Sequence, residues 1–180
     1  MGRTFASVEP AQAEFLARQP VFFIATAPSG DGGHVNLSPK GYDTLRVLDP
    51  NTVAYLDLTG SGVETIAHAR QNGRITIMAC AFDTPPMIVR VYGRGEVVTP
   101  AEDRFGDLVA RFPVLPGTRA VVLVHVERVS TSCGYGVPVM ALQGERPMLT
   151  EWAERRGAEG VAEYRAERNA TSIDGLPGLA

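Results

Sequence analysis

Lysine is nearly absent from this chain. Of its 17 basic side chains, Lys40 is the one lysine and the rest are arginines. An arginine-heavy balance is typical of GC-rich coding, so a lone lysine within Asn36-Leu37-Ser38-Pro39-Lys40-Gly41 suggests a position that prefers a compact ammonium to a planar guanidinium. Two interpretations stay open: Lys40 is a functional cation, or it is a solvated surface charge paired with an acidic neighbour such as Asp43.

Other absences narrow the possible functions. The two cysteines, Cys80 and Cys133, form no Cys-x-x-Cys, and the three histidines show no metal-ligand spacing, so we expect no metal site. No run approaches the roughly 18 apolar residues that a membrane span needs, and a net charge of −3 argues against nucleic acid as a partner. The first residues lack the apolar core of a signal peptide, which favours a cytoplasmic location.

Six segments have the composition of β-strands, rich in Val, Ile, Phe, Tyr or Thr and bounded by turn residues. They cover residues 21–27, 35–38, 53–58, 75–81, 88–98 and 120–131. Short turn-forming runs such as Asp49-Pro50-Asn51 separate neighbouring strands, which are therefore expected to be antiparallel. The sequence predicts a mainly β domain with flanking helices (α+β), built on a six-stranded antiparallel barrel.

Helices are predicted over residues 9–18, 63–73 and 99–112, with one or two more after residue 150. Ser61 and Thr99 each stand three residues before a glutamate, which is the capping-box pattern. The Gly- and Pro-containing segment beyond Asn169 is predicted to be a loose tail. No linker or repeat divides the chain, so residues 1–149 are expected to form the barrel and residues 150–180 a helical extension and tail of the same domain.

The segment Gly60-Ser61-Gly62 joins a strand to a predicted helix. Free amides at a helix N-terminus, with the hydroxyls of Thr59, Ser61 and Thr65, can bind a phosphate. The alternative is that Ser61 only caps the helix together with Glu64. The segment is neither a Walker loop nor a dinucleotide fingerprint.

Several motifs in order resemble the pyridoxamine 5′-phosphate oxidase-related flavin-binding split barrels, across about residues 10–131. These motifs are Phe15-Leu16, the strand 21–27, Asn36 to Gly41, Val53 to Asp57, Gly60 to Thr65, and the long strand around Arg90-Val91-Tyr92-Gly93-Arg94. The resemblance implies a split barrel of the FMN-binding type. It also implies a homodimer that holds FMN, or the deazaflavin F420 or haem in some branches, in grooves at the subunit interface.

The resemblance also indicates which residues would surround the cofactor. Asn36, Leu37, Ser38, Pro39 and Lys40 would run along the isoalloxazine and ribityl chain. Tyr55, Leu56, Asp57, Ser61, Gly62, Val63, Glu64 and Thr65 would fall around the ribityl-phosphate.

This chain departs from the oxidases at the phosphate. The oxidases carry basic residues after the serine and an arginine at the start of the flavin strand, where this chain has Gly62, Val63 and Val35. Arg90 or Arg94 would then supply the phosphate-binding cation. The oxidases also end in a substrate-binding segment with basic residues beside a Trp-containing strand. Here the C-terminal part is predicted to be helical, so pyridoxamine phosphate is not the expected substrate.

The loop after the last strand is a second candidate. Tyr135 stands between Gly134 and Gly136, which marks a sharply turning loop of the kind that often reaches a site. Two interpretations stay open. Tyr135 stacks on a ring from the partner subunit or donates a hydrogen bond to a substrate; alternatively, it packs on the end of the barrel.

The function implied by the resemblance is an FMN-dependent oxidoreductase that transfers hydride or electrons to an unknown small organic substrate. Lys40 would stabilise the negative charge that a reduced flavin carries near N1 and the C2 carbonyl. No catalytic residue can be named. The alternative is a non-catalytic flavin-, F420- or haem-binding protein on the same barrel. The expected partners are a second copy, a flavin nucleotide and a small-molecule substrate.

Overall fold

A computed structural model describes residues 2–179. The strands are β1 (Arg3–Phe5), β2 (Phe22–Thr26), β3 (Asn36–Lys40), β4 (Leu45–Asp49), β5 (Thr52–Leu58), β6 (Arg74–Cys80), β7 (Ile88–Val98) and β8 (Thr118–Ser132). The helices are α1 (Pro10–Arg18), α2 (Glu64–Gln71), α3 (Phe105–Val109) and α4 (Met148–Arg168). All six predicted strands are present, within one or two residues of the expected bounds at most ends.

The strands form one antiparallel sheet in the order β3-β2-β6-β7-β8-β5-β4, with β1 also paired to β8. The fold is therefore a split barrel with flanking helices, as expected, but it has eight strands rather than six. The two additional strands gave weak sequence signals, because β1 has three residues and β4, Leu45-Arg46-Val47-Leu48-Asp49, carries two charges.

Two apolar layers stabilise the sheet. The barrel interior is filled by residues of β2, β5, β6, β7 and β8 with Phe15 and Leu16 of α1, and Phe22 packs edge-on against Tyr55 with 5.9 Å between ring centroids. A second cluster, including Leu56, Val121 and Phe112, lies on the opposite face beneath α3. Residues 120–124 are buried on both faces of the sheet.

Two helix starts differ from the prediction. Helix α2 begins at Glu64 with Val63 as the N-cap, and no side chain caps it, so Ser61 is not a helix cap. The carbonyls of Gly60, Ser61 and Gly62 are instead bonded to side chains from other elements, which holds the turn outside the helix. Thr99 and Glu102 make the expected contact, yet α3 begins only at Phe105. Between Thr99 and Phe105 the backbone hydrogen bonds join residues three positions apart, which closes tight turns rather than an α-helix.

The C-terminal segment is packed, which corrects the prediction of a loose tail. Asn169 is fully buried and Ser172 is 6% exposed. The segment folds back on itself, since the amide of Leu179 donates to the carbonyl of Asn169 (2.8 Å) and the amide of Ser172 to that of Leu176 (2.9 Å). Gly175 turns the chain with a φ of 74°, so the glycines that suggested disorder make a turn.

Helix α4 contains a break at Gly157, whose φ is 68°. The two halves are tied by Trp152 and Tyr164, with ring centroids 4.9 Å apart and the guanidinium of Arg156 5.2 Å from each ring. Within residues 2–179, no helix is both long and apolar enough to span a membrane.

Candidate functional site

Lys40 forms an ion pair with Asp57. Lys40 ends β3 and Asp57 lies near the end of β5, and Nζ is 3.2 Å from Oδ1. The lysine side chain is 22% exposed whereas the aspartate is 1% exposed. Asp43 pairs with Arg46 instead, so Lys40 is not the surface partner of Asp43.

Asp57 is also bound by Arg119, whose Nε lies 2.7 Å from Oδ2. The neighbouring backbone positions are set by the sheet, because Asp57 pairs with Ala120 between β5 and β8. Burial alone would raise the pKa of Asp57, but the charges of Lys40 and Arg119 together lower it below the ordinary value of 3.8. Asp57 is therefore ionised at neutral pH and fixes both cations.

Sequence reasoning missed Arg119, although a signal was present. Asp57 lies within the apolar strand Val53-Ala54-Tyr55-Leu56-Asp57-Leu58, and Arg119 opens the apolar run of β8. A charge buried within an apolar strand requires an opposite charge, so each residue indicated the need for the other.

A cavity of about 840 Å³ lies beside Lys40. Its wall is formed by residues 39–42 and 20–21, Phe82, and the irregular segment 140–146. That segment is attached to the barrel, because the amide of Met140 donates to the carbonyl of Phe82 (2.9 Å). A smaller cavity of about 150 Å³ shares residues 39–42 and extends to Gly60 and Leu149. The larger volume lies within the range of about 300–1,000 Å³ typical of small-molecule sites.

The opposite end of β3 is joined to α2 by a polar network. The side-chain amide of Asn36 donates to Oγ1 of Thr65 at 2.9 Å. The hydroxyl of Ser38 donates to the side-chain oxygen Oδ1 of Asn36 at 3.2 Å. Thr26 contacts Nδ1 of His68 at 3.0 Å, while Nε2 of His68 is buried and has no hydrogen-bond partner among residues 2–179. Burial lowers the pKa of His68, so its ring is neutral at pH 7.

The glycine turn is exposed, but its helix end carries a negative charge. The carboxylate of Glu64 folds back over Gly62, where an added Cβ atom would collide with Oε2. Oε1 of Glu64 also accepts a hydrogen bond from the amide of Ile173 at 3.3 Å. A carboxylate thus lies where the phosphate was expected, at the start of α2.

Asn169 connects the C-terminal segment to this turn. Its side-chain amide donates to the backbone carbonyls of Gly60 (3.0 Å) and Ser61 (3.4 Å). Its side-chain oxygen Oδ1 accepts from Arg119 (2.9 Å). Gly178 packs so closely on Val63 that a Cβ atom there would lie 2.8 Å from a valine methyl. The segment beyond α4 therefore contributes to the site, which its sequence did not indicate.

The remaining candidate residues divide between the cavities and other places. Pro39 lines both cavities beside Lys40 and Leu56 lines the smaller one, whereas Leu37 is exposed and Val63 is buried. Tyr55 is in the barrel core, where burial and then the charge of Asp57 raise its pKa well above 10; its hydroxyl has no partner within residues 2–179.

Within one chain, the arginines and the tyrosine named for the phosphate and the ring make other contacts or are exposed. Arg90 bonds Ser132 (3.2 Å), and Arg94 bonds Glu127 (2.9 Å). Tyr135 is 83% exposed. None of the three lines the cavities beside Lys40 in a single chain.

Comparison with known proteins identifies the family. The family model for pyridoxamine 5′-phosphate oxidase matches residues 8–133. The pyridoxamine 5′-phosphate oxidase family protein ustO of Aspergillus flavus is 42% identical over an alignment 183 residues long. The alignment covers 92% of this chain and 73% of ustO. The chain therefore belongs to the pyridoxamine 5′-phosphate oxidase family.

Solved structures show the same fold. A Lactobacillus delbrueckii protein described as a candidate pyridoxamine 5′-phosphate oxidase aligns with a TM-score of 0.55 and 21% identity, over 69% of this chain and 94% of its own. The FAD binding protein from Mycobacterium smegmatis aligns with a TM-score of 0.50 and 17% identity, over 71% and 97%. The fold is thus that of the flavin-binding split barrels.

Proposed function

We propose that this chain is a homodimeric flavoprotein that uses FMN to transfer hydride or electrons to a small organic substrate. The observation that carries the proposal is Lys40 on the wall of the 840 Å³ cavity. An ammonium has three N–H donors, and Asp57 accepts one of them. Two donors therefore remain for a ligand in the cavity.

The flavin is proposed to lie along β3, which is the end strand of the sheet. Such a strand pairs on one side and offers free backbone donors and acceptors on the other. The ring system would lie at the Lys40 end and the ribityl chain would run towards Asn36 and Thr65, whose side chains are bonded to each other. This arrangement uses the two polar ends of β3 that the structure shows.

A bound flavin supplies hydride acceptance, with negative charge developing at its pyrimidine edge. Lys40 would provide a fixed cation at that edge. Asp57 orients the ammonium of Lys40, and Arg119 keeps Asp57 ionised. The chain thus tunes the cofactor by electrostatics, and no side chain is assigned to proton transfer.

The fit differs between the two ends of the cofactor. The cavity and its cation suit the ring, whereas the start of α2 holds the carboxylate of Glu64. A flavin phosphate placed there requires Glu64 and the Ile173 amide to separate. Riboflavin, which lacks the phosphate, would avoid that repulsion.

Exposed apolar side chains support a dimer. Val35 and Leu37 beside the flavin strand are 75% and 65% exposed, and Tyr135, Val139 and Leu142 after β8 are 83%, 80% and 67% exposed. A contiguous exposed apolar patch marks a protein contact, and the proposed dimer would cover these side chains together. The barrel interior is filled by side chains, so a flavin-sized ligand lies outside it and a second subunit would complete the groove. Sedimentation at micromolar concentration tests this, and a monomer would contradict it.

The visible spectrum of the purified protein, followed by titration with FMN, tests the cofactor. Bands near ~375 and ~450 nm, set by the electronics of the flavin, are expected. A Soret band would identify haem instead. A colourless protein that neither binds FMN nor quenches its fluorescence would contradict the proposal, and titration with F420 would then test that cofactor.

A further inference from the structure

A second cavity, separate from the one beside Lys40, is lined by three arginines. Its volume is about 530 Å³, and it lies between α4, the end of α2, residues 99–101 and the C-terminal segment. Arg70, Arg119 and Arg165 are the charged residues of its described wall. The rest of the wall is small or apolar, including Ala162, Ala166 and Leu179. The cavity therefore combines a strongly positive surface with room for an apolar group.

Each guanidinium keeps unused donors. Arg165 donates through Nε to Thr59 (2.8 Å) and through Nη2 to the carbonyls of Gly117 and Thr118, which leaves Nη1. Arg119 uses Nε and Nη1, and none of the hydrogen bonds within residues 2–179 uses its Nη2. Arg70 donates from Nη1 to the carbonyl of Gly178. The partners of Arg70 and Arg165 are all neutral oxygen atoms.

The charges around this cavity do not balance. Asp57 is shared between Lys40 and Arg119, so that buried cluster already carries a net positive charge. Arg165 adds another, and no ion pair within residues 2–179 neutralises it. Burial and then the neighbouring charge of Arg119 lower the pKa of Arg165, while the charge of Asp57 acts in the opposite direction. Buried charges in proteins are normally paired, so the cavity is suited to an anion.

We infer that the cavity lined by Arg70, Arg119 and Arg165 is a binding site for a phosphomonoester, distinct from the flavin groove. Guanidinium groups bind phosphate through paired N–H donors, and three of them face one volume here. The cavity is larger than a phosphate alone needs, and the wall of Ala162, Ala166 and Leu179 suits the carbon part of the ligand. The net positive charge selects an anion over a neutral metabolite.

Calorimetric titration of the full chain with phenyl phosphate, in a phosphate-free buffer of low ionic strength, tests the site. Phenyl phosphate is expected to bind, and Arg165→Gln and Arg70→Gln are each expected to weaken binding by about tenfold or more, as for loss of a hydrogen bond to a charged group. Arg70 is exposed and has one hydrogen bond, so its variant remains informative if Arg165→Gln fails to fold. Arg168→Gln is the matched control, because Arg168 lies three residues further along α4 and pairs with Glu167 at the surface.

Inorganic phosphate and a single equivalent of FMN per chain distinguish the possible sources of the anion. FMN is itself a phosphomonoester, so it is limited to the amount that fills the flavin groove. Phenyl phosphate is expected to bind more tightly than inorganic phosphate, and to bind equally well with that one equivalent of FMN present. No binding, or equal binding by Arg70→Gln, Arg165→Gln and Arg168→Gln, would overturn the inference. Competition with FMN would also overturn it, because the cavity would then hold the cofactor's phosphate. None of these outcomes depends on whether the flavin reacts.

Discussion

Arg119 and Asp57 form an ion pair that is almost completely removed from water, with side chains 4% and 1% exposed and 2.7 Å between Nε and Oδ2. Lys40 approaches the other carboxylate oxygen from the cavity side. Asp57 therefore connects a cation on the cavity wall to the interior of the protein. The position of Lys40 depends on a charge arrangement that a surface lysine would not need.

Asp57→Asn is expected to destabilise the protein by about 3–5 kcal/mol, because removing one partner of a buried ion pair leaves uncompensated charge. The substitution keeps the shape of the side chain, so packing changes little. Urea unfolding measures the effect. Asp43→Asn is the control, because Asp43 is exposed and pairs with Arg46, and a similar loss in both variants would contradict this account.

The stability contributed by Asp57 is expected to depend on pH. Its pKa is lowered in the folded state, so the unfolded state, with a pKa near ~3.9, binds the proton first as the pH falls. The contribution is full above about pH 5 and is lost as the pH falls through the folded pKa. The difference in free energy of unfolding between the wild type and Asp57→Asn should therefore shrink below ~pH 4. A difference that stays constant would show that Asp57 is not the titrating group.

Glu64→Gln is expected to strengthen FMN binding and to leave riboflavin binding unchanged. The carboxylate lies at the start of α2, where the phosphate is proposed to lie, and two like charges about 4 Å apart in water repel by ~1 kcal/mol. That energy corresponds to about a fivefold change in affinity. Fluorescence titration with both flavins measures it, and Glu167→Gln on α4 is the control. An equal gain for both flavins would place the phosphate elsewhere.

Asn169→Ala is expected to cost about 1–3 kcal/mol, because it removes donors and an acceptor from a fully buried position. Ser61→Ala is expected to change stability by less than ~0.5 kcal/mol, because Ser61 is exposed and does not cap α2. Thermal unfolding of the two variants compares them directly. The reverse ranking would mean that Ser61, rather than the C-terminal segment, stabilises the turn.

Much of the fold could be predicted because its strands carry strong local signals. The strand Ile88–Val98 has the predicted bounds, and the helix after Glu9 ends before Pro20 as expected. Strand β4 was missed because a short, charged strand is defined by its pairing with β5 rather than by its own composition. The C-terminal turn was missed for the same reason, since Asn169 and Gly178 are ordered by contacts with a segment more than 100 positions earlier.

The candidate site was predicted in part. Lys40 was singled out by its rarity, and its contact with Asp57 brings together two residues that the family resemblance had named separately. The cation that holds Asp57 was not found, because Arg119 is one of many arginines and its role follows from the pairing of β5 with β8. The placement of Arg90 and Tyr135 at the cofactor stays a prediction, since neither reaches the Lys40 cavity within one chain.

Flavin affinity and reduction potential of Lys40→Ala and Lys40→Arg test the central claim most directly. Lys40→Ala is expected to weaken flavin binding and to lower the potential by tens of millivolts, where about 30 mV corresponds to a tenfold change for a two-electron couple. Lys40→Arg is expected not to restore either value, because a wider planar group must enter a space that fits an ammonium beside Asp57. If both variants bind flavin and titrate as the wild type does, Lys40 is a structural partner of Asp57 and the proposed cofactor site is wrong.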